Sequence, residues 1–219
     1  MSRVLVIGDL HCPADHKDYL RFCRAIHKKY RCDKVIFIGD ILDSESISAH
    51  DKNPDLPSAG QEYKDTLKHV KEWYKAFPDA SVCIGNHDDR VQRKMFKNGI
   101  PSFYLKSFKE LYNTPTWDWV YSTEIDGIFY YHGDGGSSGL PSFHAAKSRL
   151  QSVVCGHHHS IAGIQWIKGP KTMYFGMNVG SGVDIDHHTF LYTKPHLKKA
   201  ILGCGIIING NPYLEVMKT

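Results

Sequence analysis

Cys83-Ile84-Gly85-Asn86-His87-Asp88 is the stretch on which the reading of this chain turns. Val82, Cys83 and Ile84 form the end of a short apolar run, as in a buried strand. Gly85 permits a sharp turn there. The turn leaves Asn86 and His87 at the carboxyl end of the strand, facing a crevice. An amide oxygen beside an imidazole suits a metal ligand next to an acid–base group. The same design, an apolar run followed by Asp or His, recurs in four other places.

Upstream, residues 3–7 (Arg-Val-Leu-Val-Ile) read as a strand buried on both faces, and Gly8 and Asp9-Leu10-His11 follow. Asp9 and His11, two apart in a post-strand loop, can turn toward one ion. Residues 34–38 repeat the pattern and end in Gly39-Asp40-Ile41-Leu42-Asp43. Two such strands joined by a helix make a βαβ unit, so they are expected to lie parallel and adjacent. Asp9 and Asp40 then stand side by side, and two carboxylates that close repel unless a cation lies between them. Asp15 reads as the N-cap of the joining helix, with Tyr19, Phe22, Cys23, Ile26 and Tyr30 on its apolar face. Residues 44–61, with Pro54 and Pro57, read as an irregular loop rimming the site. Tyr63, Leu67, Val70, Tyr74 and Phe77 mark a second amphipathic helix that Pro78 ends.

Downstream, residues 90–97 form a short helix closed by Asn98-Gly99, and residues 102–112 read as another, with Tyr104, Phe108, Leu111 and Tyr112 inward. After Pro115 the aromatic and β-branched runs 117–122 and 125–131 predict strands, the second ending at His132-Gly133-Asp134. A glycine-rich loop over 135–139, a helix over 142–150 and a strand over 153–155 follow. Gly156-His157-His158-His159 closes that strand. Residues 161–217 read as a second, largely antiparallel sheet with a turn at Asn209-Gly210. The order predicts an α/β (α+β) fold in which two sheets pack face to face with helices outside. One domain spanning 1–219 is expected from the length.

Composition is that of an ordinary globular chain, and no apolar run reaches the ~18 residues of a membrane helix. No membrane partner and no signal peptide are expected. The six cysteines are scattered without a C-x-x-C pair, which predicts free thiols and a reducing, cytoplasmic compartment. The net charge of +4 permits an anionic substrate and shows no clear nucleic-acid stripe.

If the strand ends converge, one crevice holds Asp9, His11, Asp40, Asn86, His132, His157 and His159, all oxygen or nitrogen ligands. Two ions can share them if Asp40 bridges, and mixed imidazole and carboxylate ligation suits Mn, Fe, Zn, Co or Ni. Such a pair generates hydroxide at neutral pH and clamps a phosphoryl group. Asp9-x-His11, Gly39-Asp40-x-x-Asp43, Gly85-Asn86-His87-Asp88, His132-Gly133 and Gly156-His157-x-His159 resemble, in order, the signature blocks of the calcineurin-like metallophosphoesterases. The resemblance implies a four-layer αββα sandwich and two divalent transition-metal ions, with Mn2+ preferred. It implies that Asp9, His11, Asp40 and His159 hold one metal, and Asp40, Asn86, His132 and His157 the other. It also implies that His87 protonates the leaving group, oriented by Asp43. Asp88 in the third block, and Ser44-Glu45 after Asp43, depart from the Ser/Thr protein phosphatases. They fit the bacterial, archaeal and phage phosphodiesterase-type branch better.

The implied activity is a phosphodiesterase or phosphatase on small molecules or nucleotides. A DNA or RNA nuclease is the alternative. A non-catalytic scaffold, like the small sandwich subunit of retromer, is a remote third reading, since every ligand and the acid histidine are present. Arg90 and His158 are candidate substrate-binding residues, with a helix-surface arginine and an outward-pointing histidine as the plainer readings. His187-His188 near Asp184 and Asp186 reads as a surface loop. Trp117, Trp119, Phe129 and Tyr131 read as core.

Overall fold

The first apolar run divides the core by simple alternation. Val4 and Val6 lie between two sheets, whereas Leu5 and Ile7 face helices. The run 34–38 repeats this, with Val35 and Phe37 toward helices and Ile36 and Ile38 between sheets. The structure is a computed structural model that describes residues 1–48, 56–135, 139–187 and 198–218.

In chain order the first half comprises β1 (Arg3–Ile7), α1 (Tyr19–Tyr30), β2 (Lys34–Phe37), α2 (Ala59–Ala76), β3 (Ser81–Cys83), α3 (Arg90–Lys97) and α4 (Phe108–Tyr112). Then follow β4 (Asp118–Val120), β5 (Ser122–Ile125), β6 (Ile128–Tyr131), α5 (Pro141–Arg149), β7 (Ser152–Cys155), β8 (Ala162–Lys168), β9 (Met173–Val179), β10 (Gly203–Ile208) and β11 (Asn211–Val216). One sheet has the order β11-β10-β1-β2-β3-β4, with β1 to β4 parallel. The other has the order β5-β6-β7-β9-β8, with β6, β7 and β9 parallel. Both sheets are therefore mixed. Tyr19, Val70 and Trp73 pack α1 and α2 onto the outside of the first sheet, and Ala146 packs α5 against Val153 and Tyr174 of the second. The layers run helix, sheet, sheet, helix. Trp117 is fully buried, and Trp119, Phe129 and Tyr131 pack against the core as expected. All six cysteines are buried free thiols. Among the described residues no helix is long and apolar enough to cross a membrane.

Several expectations give way. The C-terminal part does not form a sheet of its own. β8 and β9 join the second sheet, but β10 returns to pair antiparallel with β1, Val6 opposite Gly205. The run 125–131 is split by Asp126-Gly127, both at positive φ, into the hairpin β5–β6. Residues 102–112 are not one helix. A single 3-10 turn at Ser102–Tyr104 precedes a capping box in which Ser107 and Glu110 exchange hydrogen bonds and start α4 afresh. Tyr104, expected inward, is 69% exposed. On α2, Glu62, Thr66 and Trp73 join Val70 on the buried face, while Tyr63 lies toward solvent. Part of the loop over 44–61, the heart of the glycine-rich loop and His188 lie outside the described residues.

Asp15 does not cap α1, which begins at Tyr19 after Asp18. Its carboxylate instead meets His69 Nδ1 at 2.6 Å and accepts from Trp73 Nε1 at 2.9 Å, tying α2 to the β1–α1 loop. Burial alone pushes the Asp15 carboxyl up, but the bonds from His69 and Trp73 outweigh it and hold it low. The hydrogen bond to Asp15 raises His69 against the opposing effect of burial. The raised His69 stabilises the fold below its unfolded value and loses this as pH rises through its folded pKa. The lowered Asp15 stabilises above its unfolded value and loses this as pH falls through its folded pKa. The pair therefore contributes fully between about pH 4 and 6.5. His69→Gln should lower the urea midpoint more at pH 5.5 than at pH 8.5. Because the His69 side chain is 40% exposed, solvent screening keeps the difference under about 1 kcal/mol. An equal loss at both pH values would show that the pair acts only as packing.

Candidate metal centre

Parallel strands place their carboxyl ends on one edge, and here both sheets use the same edge. Asp9 follows β1, Asp40 follows β2, Asn86 follows β3, His132 follows β6 and His157 follows β7. Backbone bonds fasten these ends together. Leu10 N and His11 N donate to Asp40 O, and Gly156 N donates to His132 O. The buried Tyr19 hydroxyl accepts from Gly8 N and donates to Gly203 O, which anchors α1 beside Asp9.

The seven expected ligands do converge. His159 Nε2 lies 3.1 Å from His11 Nε2 and 3.2 Å from Asp9 Oδ2. His132 Nε2 lies 3.1 Å from Asn86 Oδ1, from His157 Nδ1 and from Asp40 Oδ2. Asp40 Oδ2 is also 3.6 Å from His11 Nε2, so it stands between two donor groups. Two ligand atoms about 2.1 Å from one ion lie about 3.0 Å apart at an octahedral right angle and about 3.4 Å apart at a tetrahedral angle. The observed spacings match those edges. The carboxylate and imidazole groups of Asp9, His11 and His159, and of Asp40, His132 and His157, can each hold a cation.

Second partners set the tautomers. His132 Nδ1 donates to Ile38 O at 3.1 Å, and His11 Nδ1 donates to Asp43 Oδ1 at 2.9 Å. Each leaves an Nε2 lone pair for the centre. Close packing of glycine against two of the candidate ligands is equally specific. A Cβ on Gly156 would fall 2.2 Å from Asp9 Oδ1, and one on Gly85 would fall 2.2 Å from Asp40 Oδ1. Asp9 Oδ1 is buried and has no hydrogen-bond partner, as a ligand oxygen would. His11, Asp40 and His157 all sit at positive φ, where a non-glycine residue costs about 1–3 kcal/mol. Three of the nine described non-glycine residues at positive φ are thus candidate ligands.

Charge is finely divided here. Burial opposes ionisation of Asp40, but His132 overrides it and holds Asp40 well below the carboxylate range. Burial likewise disfavours charge on His132, yet Asp40 pushes it up to about 10. Burial, reinforced by His132, takes neighbouring His157 down to about 4. A proton on His132 thus does part of the work a cation would do, and the two compete for the site.

His87 stands at the edge of the cluster. Its Nδ1 donates to Asp43 O at 2.6 Å and lies 3.4 Å from Asp43 Oδ1. The Asp43 carboxylate is nearer to His11 than to His87, so it serves both rings. Burial lowers His87, but Asp40 and Asp43 outweigh it and the net shift is upward. Arg90 lies with Nη2 3.1 Å from each His87 nitrogen and opposes that charge. Its Nη1 donates to Asp43 O, Ser44 O and Glu45 Oε2, and the side chain is only 13% exposed. His158 stays outside the donor groups, with its Nε2 buried. In the loop after Val183, His187 N and Asp186 N both bond to Asp184.

Two supporting carboxylates escaped the sequence reading. Asp88 accepts from Gly85 N and Leu42 N, locking the β3 turn to the β2 turn, and burial beside Asp40 pushes it up to about 7. Glu62 accepts from Glu45 N and Ser46 N and carries the turn after Asp43.

The fold and the donor groups define a class: a two-sheet α/β sandwich with a candidate metal centre at the shared strand edge. The model of the calcineurin-like phosphoesterases matches residues 2–187, and the chain belongs to that family. No curated protein matches it. Among solved structures, Vacuolar Protein Sorting 29 from Cryptosporidium parvum is 13% identical, with 99% of this chain and 96% of that one covered and a TM-score of 0.47. Yfce, a phosphoesterase from E. coli, is 14% identical, with coverage of 94% and 88% and a TM-score of 0.47. Pseudomonas putida nuclease MPE is 13% identical, with coverage of 97% and 87% and a TM-score of 0.35.

Proposed function

We propose that the chain is a dinuclear metal-dependent phosphoesterase, acting as a phosphodiesterase or phosphatase. The observation that carries this reading is the Asp40 carboxylate oxygen standing between two imidazole-bearing donor groups. Asp9, His11, Asp40 and His159 hold one ion in this reading, and Asp40, Asn86, His132 and His157 hold the other. Mn2+ is the first choice, with Fe, Zn, Co and Ni also compatible with such ligands. When bound, the ions activate water at neutral pH and neutralise charge on the phosphoryl oxygens.

The remaining work falls to side chains. His87 donates a proton to the departing ester oxygen from Nε2, since Nδ1 is committed to Asp43 O, and Arg90 Nη2, 3.1 Å from Nε2, must give way to the ester oxygen there. Asp43 orients His11 and His87 together. Arg90 braces the turn at Asp43–Glu45 rather than binding phosphate, and its charge makes the His87 imidazolium a stronger acid. Asn86 serves as a ligand and keeps an amide N–H for a phosphate oxygen. The buried Nε2 of His158 argues for support rather than substrate contact. We further read the chain as one domain of the bacterial, archaeal or phage phosphodiesterase-type branch, working in a reducing cytoplasm. A scaffold has no need of this candidate ligand set.

The test is hydrolysis of bis-p-nitrophenyl phosphate and p-nitrophenyl phosphate with added Mn2+, beside a chelated control. Turnover that the chelator abolishes is expected, with the diester preferred. Absence of both turnover and bound metal would sink the reading.

A further inference from the structure

Downstream of the His87 turn the chain leaves the core. No residue from 90 to 107 is buried. Residues 90–106 carry five Lys or Arg and no Asp or Glu, whereas the whole chain has a net charge of only +4. In α3, Arg90, Arg93, Lys94 and Lys97 are spaced i, i+3, i+4 and i+7, which puts all four on one face. That face lies along the catalytic turns. Arg90 reaches Ser44 O, Arg93 reaches Asn86 O and Lys94 reaches Ser48 O. Arg90 is engaged at the His87 turn, and the cations open to a ligand run on from there, from Arg93 to exposed Lys97.

Large exposed rings lie in the same stretch of chain. Phe103 is 76% and Tyr104 69% exposed, with ring centroids 4.3 Å apart. Phe96 is 55% exposed, and Tyr121 is 63% exposed with its hydroxyl at Asp89. One exposed ring needs no explanation, but several within one short basic stretch do. Fixed cations match a phosphate backbone, and open ring faces match unpaired bases. A duplex hides its base faces, so the fit is to a single strand.

We propose that residues 90–106, with Tyr121, form a track for single-stranded nucleic acid that leads to the His87 turn. That the bound strand is also the substrate rests on the phosphoesterase reading, whereas binding does not. Cleavage would add water across one P–O ester bond. The water oxygen bonds to phosphorus and the ester oxygen leaves with the His87 proton. The proton released by water restores His87, leaving a phosphomonoester end and a hydroxyl end.

Fluorescence anisotropy of labelled oligo-dT, oligo-rU and a duplex of equal length, measured on the full chain in EDTA, tests the binding. Tighter binding of either single strand than of duplex is expected, and the tighter one identifies DNA or RNA. Phe103→Ala with Tyr104→Ala should weaken it about 10- to 100-fold, the effect of losing a stacked base. Lys94→Gln with Lys97→Gln should make the slope of log affinity against log salt shallower by about 1.4, at about 0.7 per single-strand phosphate contact. Both pairs of substitutions should leave bis-p-nitrophenyl phosphate hydrolysis intact. The track is refuted if no oligonucleotide binds at low salt, if neither variant alters binding, or if phosphatidylserine vesicles bind in place of the single strands. Oligonucleotide binding with no turnover of the small diester would overturn the catalytic reading and leave the track. Turnover without oligonucleotide binding would do the reverse.

Discussion

Asp40→Asn is expected to abolish metal retention and lower phosphoester turnover about a thousandfold, the several kcal/mol that paired ions supply to the transition state. Three contacts explain the size of the effect. Asp40 Oδ2 is the atom shared by the two donor groups. Asp40 Oδ1 accepts the backbone N–H of His87 at 2.8 Å, so the same carboxylate sets the turn that carries the proposed acid. Asparagine keeps the shape but loses the charge. It can also turn an NH2 group toward the lone pairs of His132 and His11, where a ligand oxygen is needed. Removal of charge, rather than of volume, is therefore decisive. A thermal readout separates this from misfolding. Mn2+ at about a hundred times its Kd should stabilise the unsubstituted protein by about 2.7 kcal/mol and should not move the variant. A folded Asp40→Asn protein that still binds metal and keeps half its activity would remove Asp40 from the centre.

The convergence of the candidate ligands was legible because each one is announced locally. A short apolar run, a glycine and a polar residue can be read from a few letters, and βαβ handedness then brings Asp9 and Asp40 together. The glycines at 85 and 156 carry a further signal, since any Cβ there would collide with the carboxylate of Asp40 or Asp9. Long-range pairing leaves no such mark. The run Cys204 to Ile208 is apolar like any buried strand, and only tertiary contact decides that β10 lies on β1 rather than on β9. Asp88 and Glu62 were hidden for a different reason. Their partners are backbone N–H groups, which every residue type but proline carries. Arg90 looked like a phosphate ligand for a similar reason, since the carbonyls it binds have no side-chain identity. The break before α4 was written in the sequence as Ser107-x-x-Glu110, but a plausible apolar period ran through it. The α3 cation row needed the helix, because only the i, i+3, i+4, i+7 spacing turns a mildly basic stretch into a face.

His87→Ala should slow hydrolysis of an alkyl or nucleoside phosphodiester about 10²- to 10⁴-fold, the usual contribution of a positioned general acid. Bound metal should stay unchanged, because the donor groups of Asp9, His11 and His159 and of Asp40, His132 and His157 are complete without this ring. The ring also belongs to a third such group, with His11 and Asp40, so a ligand role is a real competitor. The leaving group separates the two roles. An alkoxide is a poor leaving group and needs the proton, whereas p-nitrophenolate is a stable anion and departs without one. If His87 is the acid, the loss is large for the alkyl ester and small for bis-p-nitrophenyl phosphate. If His87 is a ligand, both substrates suffer alike and metal content falls with activity. Arg90→Lys gives an independent handle on the same proton. The bonds to Asp43 O and Ser44 O brace the turn that holds His87 Nδ1, and a lysine cannot keep them while also lying over the ring. Its effect should therefore follow the same order, stronger on the alkyl ester than on the nitrophenyl ester, and metal content should again stand still. A loss that ignores the leaving group in both variants would mean that the turn holds the ions and that the proton comes from elsewhere.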